Sequence, residues 1–244
     1  MSLRRFALLL ASVMLLGACM SGGSSDTSSD TSSPTEATTS SPSGTTDLRV
    51  LDGTDDALDP GTYVIDPAEA PDTAPLPNVE ITVPEGWANL EGWGVRSTSE
   101  DDRLLSISLW QVQEVYAHPC RWNRPRIVPG PTAADLAEVL TTIPLRNATT
   151  PVDIELDGYT GKELEWSVPA DADFSKCVDG KFQSWKEWDG DRYQQGPGQV
   201  DRLWIFDVDG QRMVIDSFAM PGATAKDRAM LEQVMASISF EDPS

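Results

Sequence analysis

This sequence predicts an α+β fold, mostly antiparallel sheet with two helices, from three observations. Two Asp-Gly dipeptides, Asp157-Gly158 and Asp209-Gly210, each separate a pair of apolar runs, and that dipeptide suits a two-residue type I′ hairpin turn. Two segments, Thr132-Ala133-Ala134-Asp135 and Thr224-Ala225-Lys226-Asp227, read as capping boxes ahead of apolar residues at helical spacing. The other apolar segments keep a period of two, as half-buried strands do. Strands with one mid-chain and one C-terminal helix give an α+β domain.

Taken in order, residues 78–83 read as a strand closed by Pro84, and Glu85-Gly86 as a turn into Trp87. Residues 104–112 alternate, placing Leu105, Ile107 and Leu109 on one face and Trp110 and Val112 on the other. The first helix carries Leu136, Val139, Leu140 and Ile143 on one stripe and ends at Pro144. Residues 152–156 and 159–168 flank the first Asp-Gly turn, and 203–208 and 211–219 flank the second. Leu203-Trp204-Ile205-Phe206 is apolar on both faces, which suits a central strand covered on both sides. The second helix carries Leu231, Val234, Met235 and Ile238, and the run 237–240 marks its end.

The N-terminus speaks to location. Arg4 and Arg5 precede an apolar run over 6–16, too short to span a bilayer as a stable helix, and Leu16-Gly17-Ala18-Cys19 follows. These four residues resemble the lipobox of bacterial lipoproteins: an aliphatic residue, two small residues and a Cys. The resemblance covers about the first 20 residues. It implies that 1–18 is a lipoprotein signal peptide, that Cys19 takes a diacylglycerol, and that its new amino group is acylated, as with palmitate. The alternative is an ordinary signal peptide with a chance Cys behind it. Residues 19–47 are mostly Ser, Thr, Gly, Pro and Asp without an aromatic, and read as a disordered tether reaching about 30 Å. Residues 48–77 form an acidic, Pro-rich lead-in, in which Asp52, Asp55, Asp56 and Asp59 read as solvated linker. They lack the closing bidentate Glu of a calcium loop. The single globular domain is then 78–244.

The formal charge is −21 with a pI near 4.2, which argues against nucleic acid as a partner and against a polybasic contact with lipid headgroups. Membrane attachment therefore falls to the acyl chains on Cys19, on the outer face of the cytoplasmic membrane. With Cys19 lipidated, Cys120 and Cys177 have only each other in an oxidising compartment, and a disulfide is expected. A free thiol pair or a metal site are the alternatives. Metal is disfavoured because His118 is the only histidine and no CxxC spacing exists.

Two further stretches carry a resemblance. Val83-Pro84-Glu85-Gly86-Trp87 and the closing pattern G-x4-D-x3-L-x2-V-x2-S-I-x-F, from Gly222 to Phe240, resemble secreted lipoproteins of high-GC Gram-positive bacteria. The entry strand and the late hairpin–helix are also similar to the PsbP-like α/β/α sandwich. The resemblance covers about 78–241. It implies a fold and carries no catalytic residues. The Cys pair and the excursion from Cys177 to Gly198 are not part of that pattern.

A histidine-based nucleophile would need His118, which Pro119 and Cys120 follow, and no HExxH, GxSxG, P-loop or GxGxxG is present. Carboxylate chemistry stays open, with Glu163 and Glu165 on one strand face. Basic residues concentrate in two stretches. Residues 116–130 hold Arg121, Arg124 and Arg126 without an acid, and 171–202 hold Lys176, Lys181, Lys186, Arg192 and Arg202. The Cys120–Cys177 bond would staple the two together. The candidate ligand-binding surface is then Arg121, Trp122, Arg124, Arg126, Lys176, Trp185, Trp188 and Tyr193, a mixture that suits carboxylate, phosphate or sugar. The competing reading pairs these arginines with surplus carboxylates and puts the tryptophans in the core. Trp87, Trp110, Trp166 and Trp204 read as core, Trp185 and Trp188 as exposed.

The leading expectation is a membrane-anchored extracytoplasmic lipoprotein displaying a non-catalytic ligand-binding or interaction domain, without metal or cofactor. Its ligand would be a small anion, a glycan or a membrane protein. An accessory lipoprotein acting only through protein contacts comes second, and a carboxylate-based hydrolase third.

Overall fold

The structure, a computed structural model, describes residues 49–67, 76–188 and 190–241. The signal segment 1–18, Cys19 and the tether 19–47 lie outside the described residues, as does the stretch 68–75. In chain order the strands begin with β1 (Arg49–Val50), β2 (Ala57–Leu58), β3 (Gly61–Ile65), β4 (Val79–Val83), β5 (Trp87–Asn89) and β6 (Gly94–Ser97). Next come β7 (Leu105–Trp110), β8 (Glu114–Tyr116), β9 (Arg126–Ile127) and helix α1 (Ala133–Thr141). Then follow β10 (Asn147–Ala148), β11 (Val152–Leu156), β12 (Tyr159–Ser167), β13 (Phe182–Lys186) and β14 (Asp191–Gln194). The chain closes with β15 (Val200–Val208), β16 (Gln211–Ala219), helix α2 (Ala225–Met235) and β17 (Ser239–Phe240). Among the described residues, no helix is long and apolar enough to cross a membrane.

The central sheet runs β10-β12-β15-β16-β7-β6-β5-β2, with β11 also on β12, and every pairing is antiparallel. Both hairpin turns have the expected form. Asp157 and Gly158 have φ of 50° and 84°, and Asp209 and Gly210 have 48° and 82°, the two positive angles of a type I′ turn. Gly161 lets β12 and β15 approach, since a Cβ there would lie 2.2 Å from the Ile205 carbonyl oxygen.

Two hydrophobic clusters cover the two faces of this sheet. Leu105, Ile107, Leu109, Phe206 and Ile215 belong to one, with Leu231, Val234 and Met235 of α2 and Ile65, Val79 and Ile81 of β3 and β4. Trp110, Leu164, Leu203, Ile205 and Val214 belong to the other, with Leu136, Ala137 and Leu140 of α1 and Trp185 of β13. Strand alternation thus sends β7 and β15 side chains to both clusters, which is why 203–206 must be apolar on both faces. Each helix opens with the expected capping box: Thr132 and Thr224 accept from the N3 amides, while Asp135 and Asp227 accept from the cap amides. The fold is therefore α+β, mostly antiparallel, with two helices. Two smaller sheets complete it, β1-β3-β4-β17 and β14-β13-β8-β9.

The domain boundary expected at residue 78 is too late. Strand β3 pairs with β4 from Gly61↔Val83 to Ile65↔Val79, and Tyr63, Val64 and Ile65 are buried. Prolines and acids in 48–77 mask the strand-forming run Thr62-Tyr63-Val64-Ile65, whose partner only the fold supplies. Its acids Asp52, Asp55, Asp56 and Asp59 are all exposed, but Asp55 is tied to the sheet, taking the Arg96 guanidinium fork at 3.1 and 2.7 Å.

Candidate functional site

Cys120 and Cys177 form a disulfide, and this bond ties the loop before β9 to the segment before β13. The Val178 amide donates to the Cys120 carbonyl at 3.0 Å, and the Trp122 indole N–H donates to the Val178 carbonyl at 3.1 Å. The two basic stretches are therefore joined, but the candidate residues do not gather on one surface.

Trp122, Arg124 and Arg126 border a groove of about 530 Å³ with Glu114, Tyr116, Lys186 and Asp191. Arg126 is paired with Glu114. The Tyr116 hydroxyl donates to Asp191 at 2.7 Å, and burial, then this bond, pushes its pKa up to about 12. Arg124 is exposed and has no ion-pair partner among the described residues. Arg121 and Lys176 are exposed and border no groove with these residues; Lys176 pairs with Asp173 at 3.3 Å. Trp188 is exposed and does not border that groove.

Trp185 is not exposed. It is fully buried, stacked on Trp166 at 5.9 Å with the rings 7° from parallel and meeting Trp110 edge-on at 5.9 Å. Trp185 lies on β13, in which Phe182, Gln183, Ser184 and Trp185 are all buried. It cannot serve as a ligand platform. Of the tryptophans read as core, Trp87, Trp110 and Trp166 are buried, while Trp204 is half-buried with its N–H on Glu163 at 2.9 Å.

A second concavity lies elsewhere, between the β5–β6 turn and β14, and holds about 460 Å³. Its floor is Ser106, Ser108 and Trp110 of β7 with Phe218 of β16, all on one face of the central sheet. One wall carries Leu90, Glu91, Trp93 and Arg96, and the other carries Asp191, Arg192, Tyr193 and Gln195. Trp93 and Trp110 meet edge-to-face with centroids 5.0 Å apart, and the Trp110 N–H donates to the Ser108 hydroxyl at 2.8 Å. Tyr193 is 41% exposed and forms part of the rim. It is the one candidate residue that the cleft absorbs. Trp93, Trp110, Arg192 and Phe218 were not among the candidates. The signal available in sequence was weak: Trp93 between Gly92 and Gly94 beside a turn, and Phe218 on the face that Asp216 shares.

Beside the cleft floor lies a buried ionic cluster. Arg192 donates through Nε to Asp216 at 2.8 Å and through Nη2 to Asp201 at 2.9 Å, and it also holds the Tyr193 carbonyl. Both aspartates are fully buried. Burial, reinforced by Asp216, pushes Asp201 up to about 7. Burial pulls Arg192 down, but the two aspartates outweigh it and raise its pKa overall. Arg146 lies 3.6 Å over the Trp166 ring and donates to the Ser184 hydroxyl at 2.7 Å, and burial lowers its pKa to about 9. One oxygen of Asp216 has no hydrogen-bond partner among the described residues.

Four carboxylates, Asp201, Asp216, Glu163 and Glu165, stand apart from the open concavities. Asp201 and Asp216 are sealed behind Arg192. Glu163 is held by Arg202 at 2.9 and 3.0 Å and by Trp204, and neither it nor Glu165 borders the cleft or the groove. Among the described residues, no His, Cys, Asp and Glu group has a metal-binding arrangement.

The chain matches no protein-family model and no curated protein. Solved structures similar to it at low identity include the following two. Cyanobacterial PsbP (CyanoP) from Synechocystis sp. PCC 6803 is 16% identical with a TM-score of 0.35, over 67% of this chain and 86% of that one. LpqN, described as involved in cell envelope biogenesis of Mycobacterium tuberculosis, is 12% identical with a TM-score of 0.37, over 74% of this chain and 91% of that one. Likenesses this distant carry no argument about the site.

Proposed function

We propose that this chain is an extracytoplasmic lipoprotein, anchored through acyl chains on Cys19, whose folded domain binds a small ligand without chemical conversion in the cleft between the β5–β6 turn and β14. The tether of 19–47 holds that domain clear of the headgroups on the outer face of the cytoplasmic membrane. We read its layers, α1 over one sheet face and α2 over the other, as a PsbP-like α/β/α sandwich.

The observation that carries the binding reading is the cleft itself. Small-molecule sites are concavities of about 300–1,000 Å³, largely apolar, with a few convergent polar groups. The cleft offers about 460 Å³, four aromatic rings and a polar rim. The alternative of an anion site at the Trp122 groove is weaker, because Arg126 there already faces Glu114.

The test is a thermal-shift panel of sugars, amines, phosphates and carboxylates on the mature chain carrying Cys19→Ser, with Trp93→Ala beside it. A ligand present at 100-fold over its Kd adds about 2.7 kcal/mol, a readily visible shift. The expected result is a hit that Trp93→Ala removes while the unliganded melting point holds. A hit that survives Trp93→Ala but falls with Arg124→Ala would move the site to the groove, and a silent panel would remove the small-ligand reading.

A further inference from the structure

The charges around the cleft divide unevenly between those already matched and those left open. Its two cations are both engaged: Arg192 by Asp201 and Asp216, Arg96 by Asp55. Two of its acids are not. Among the described residues, Glu91 and Asp101 have no ion-pair partner, and both are exposed. The third acid, Asp191, is shared with the Tyr116 hydroxyl at 2.7 Å and with Lys186 only at 3.8 Å.

The depression next to the cleft deepens the asymmetry. It shares Glu91, Trp93, Trp110 and Asp191 with the cleft, adds three acids and holds no cation among the described residues. Aromatic faces bordered by carboxylates attract cations through both the ring quadrupole and Coulomb attraction. The chain's overall charge of −21 adds a long-range field of the same sign. An anion entering the cleft would find both guanidinium groups occupied.

We infer that the ligand of this cleft is an organic cation, an ammonium-bearing molecule whose apolar or ring-containing body lies against Trp93 and Trp110 while its charge faces Glu91 and Asp101. This rests on the proposed binding reading and narrows it to one ligand chemistry. It excludes the small anion that the basic stretches suggested.

Three probes with one benzyl body separate charge from shape: benzylammonium, benzyl alcohol and benzoate. Each is titrated into the mature Cys19→Ser chain by calorimetry and followed by tryptophan fluorescence. Benzylammonium is expected to bind about tenfold tighter than benzyl alcohol, with benzoate weakest, and added salt should narrow the gap. The double variant Glu91→Gln/Asp101→Asn should bring benzylammonium down to the affinity of the alcohol. Both positions are exposed and unpaired, so the fold should be unaffected. Equal or tighter binding of the alcohol or benzoate overturns the cationic class, and so does failure of benzylammonium to bind. If a neutral or anionic ligand from the wider panel binds and is lost in Trp93→Ala, the cleft reading stands and this inference alone falls.

Discussion

Nε of Arg192 donates to Asp216 across 2.8 Å with both side chains almost wholly out of water, and the same guanidinium reaches Asp201 at 2.9 Å. One cation thus bridges two buried carboxylates on adjacent strands, β15 and β16. Gln199 also donates to Asp201 at 2.8 Å. Breaking such a bridge from one side leaves charge uncompensated in a low dielectric, which typically costs about 3–5 kcal/mol.

The bridge has a pH consequence with a definite sign. Asp201 is raised to about 7, mainly by burial, whereas an unfolded Asp titrates near 3.9. Between those values the folded state holds the proton and the unfolded state does not. This group's contribution is therefore full below about pH 4 and is lost as pH rises through about 7. Melting curves from pH 5 to 8 should show the native chain losing stability relative to Asp201→Asn by on the order of a few kcal/mol. Parallel curves for the two proteins would rule out a protonated Asp201.

The Cys120–Cys177 bond spans a sequence separation of 57 and closes the loop that carries β9, α1, β10, β11 and β12. On the chain-entropy model it contributes roughly 4 kcal/mol by restricting the unfolded chain. For a domain of this size that is about 8–16 °C in Tm. Calorimetry of the Cys120→Ser/Cys177→Ser double variant should show a fall of that order. An unchanged Tm would mean that native contacts around Val178 and Trp122 hold the two segments without it.

On the proposed lipidation, attachment rests on Cys19. Two or more acyl chains hold a protein at a bilayer firmly, at about 0.8 kcal/mol per buried methylene, where one chain holds marginally. Cell fractionation should find the native chain in membranes and nearly all of Cys19→Ser outside them. A variant that remains membrane-bound would place the attachment elsewhere in the chain.

The parts of the fold that were legible in sequence are those set by local chemistry. Both Asp-Gly turns, both capping boxes and the two-faced apolar run 203–206 depend on residues within one or two turns of each other, so their patterns can be read without a partner. Two errors share the opposite cause. Residues 61–65 look like a linker until β4 pairs with them, and Trp185 looks exposed until Trp110 and Trp166 enclose it. The candidate surface suffered in the same way. Residues 121–126 and 176 are near one another through the disulfide, yet their side chains spread over a groove and open solvent.

By itself, the sequence determined what short-range physics controls: fold class, the start of each helix, the turn of each long hairpin, the acidic surface and the expectation of a lipidated Cys19. The tertiary structure alone decided which charges remain open. Arg192 looks in sequence like another cation in a basic stretch. Folding buries it between Asp201 and Asp216, contributed by two later strands, and leaves Glu91 and Asp101 beside the aromatic cleft. Ion pairing in the interior depends on which strands lie side by side, and no local pattern encodes that adjacency.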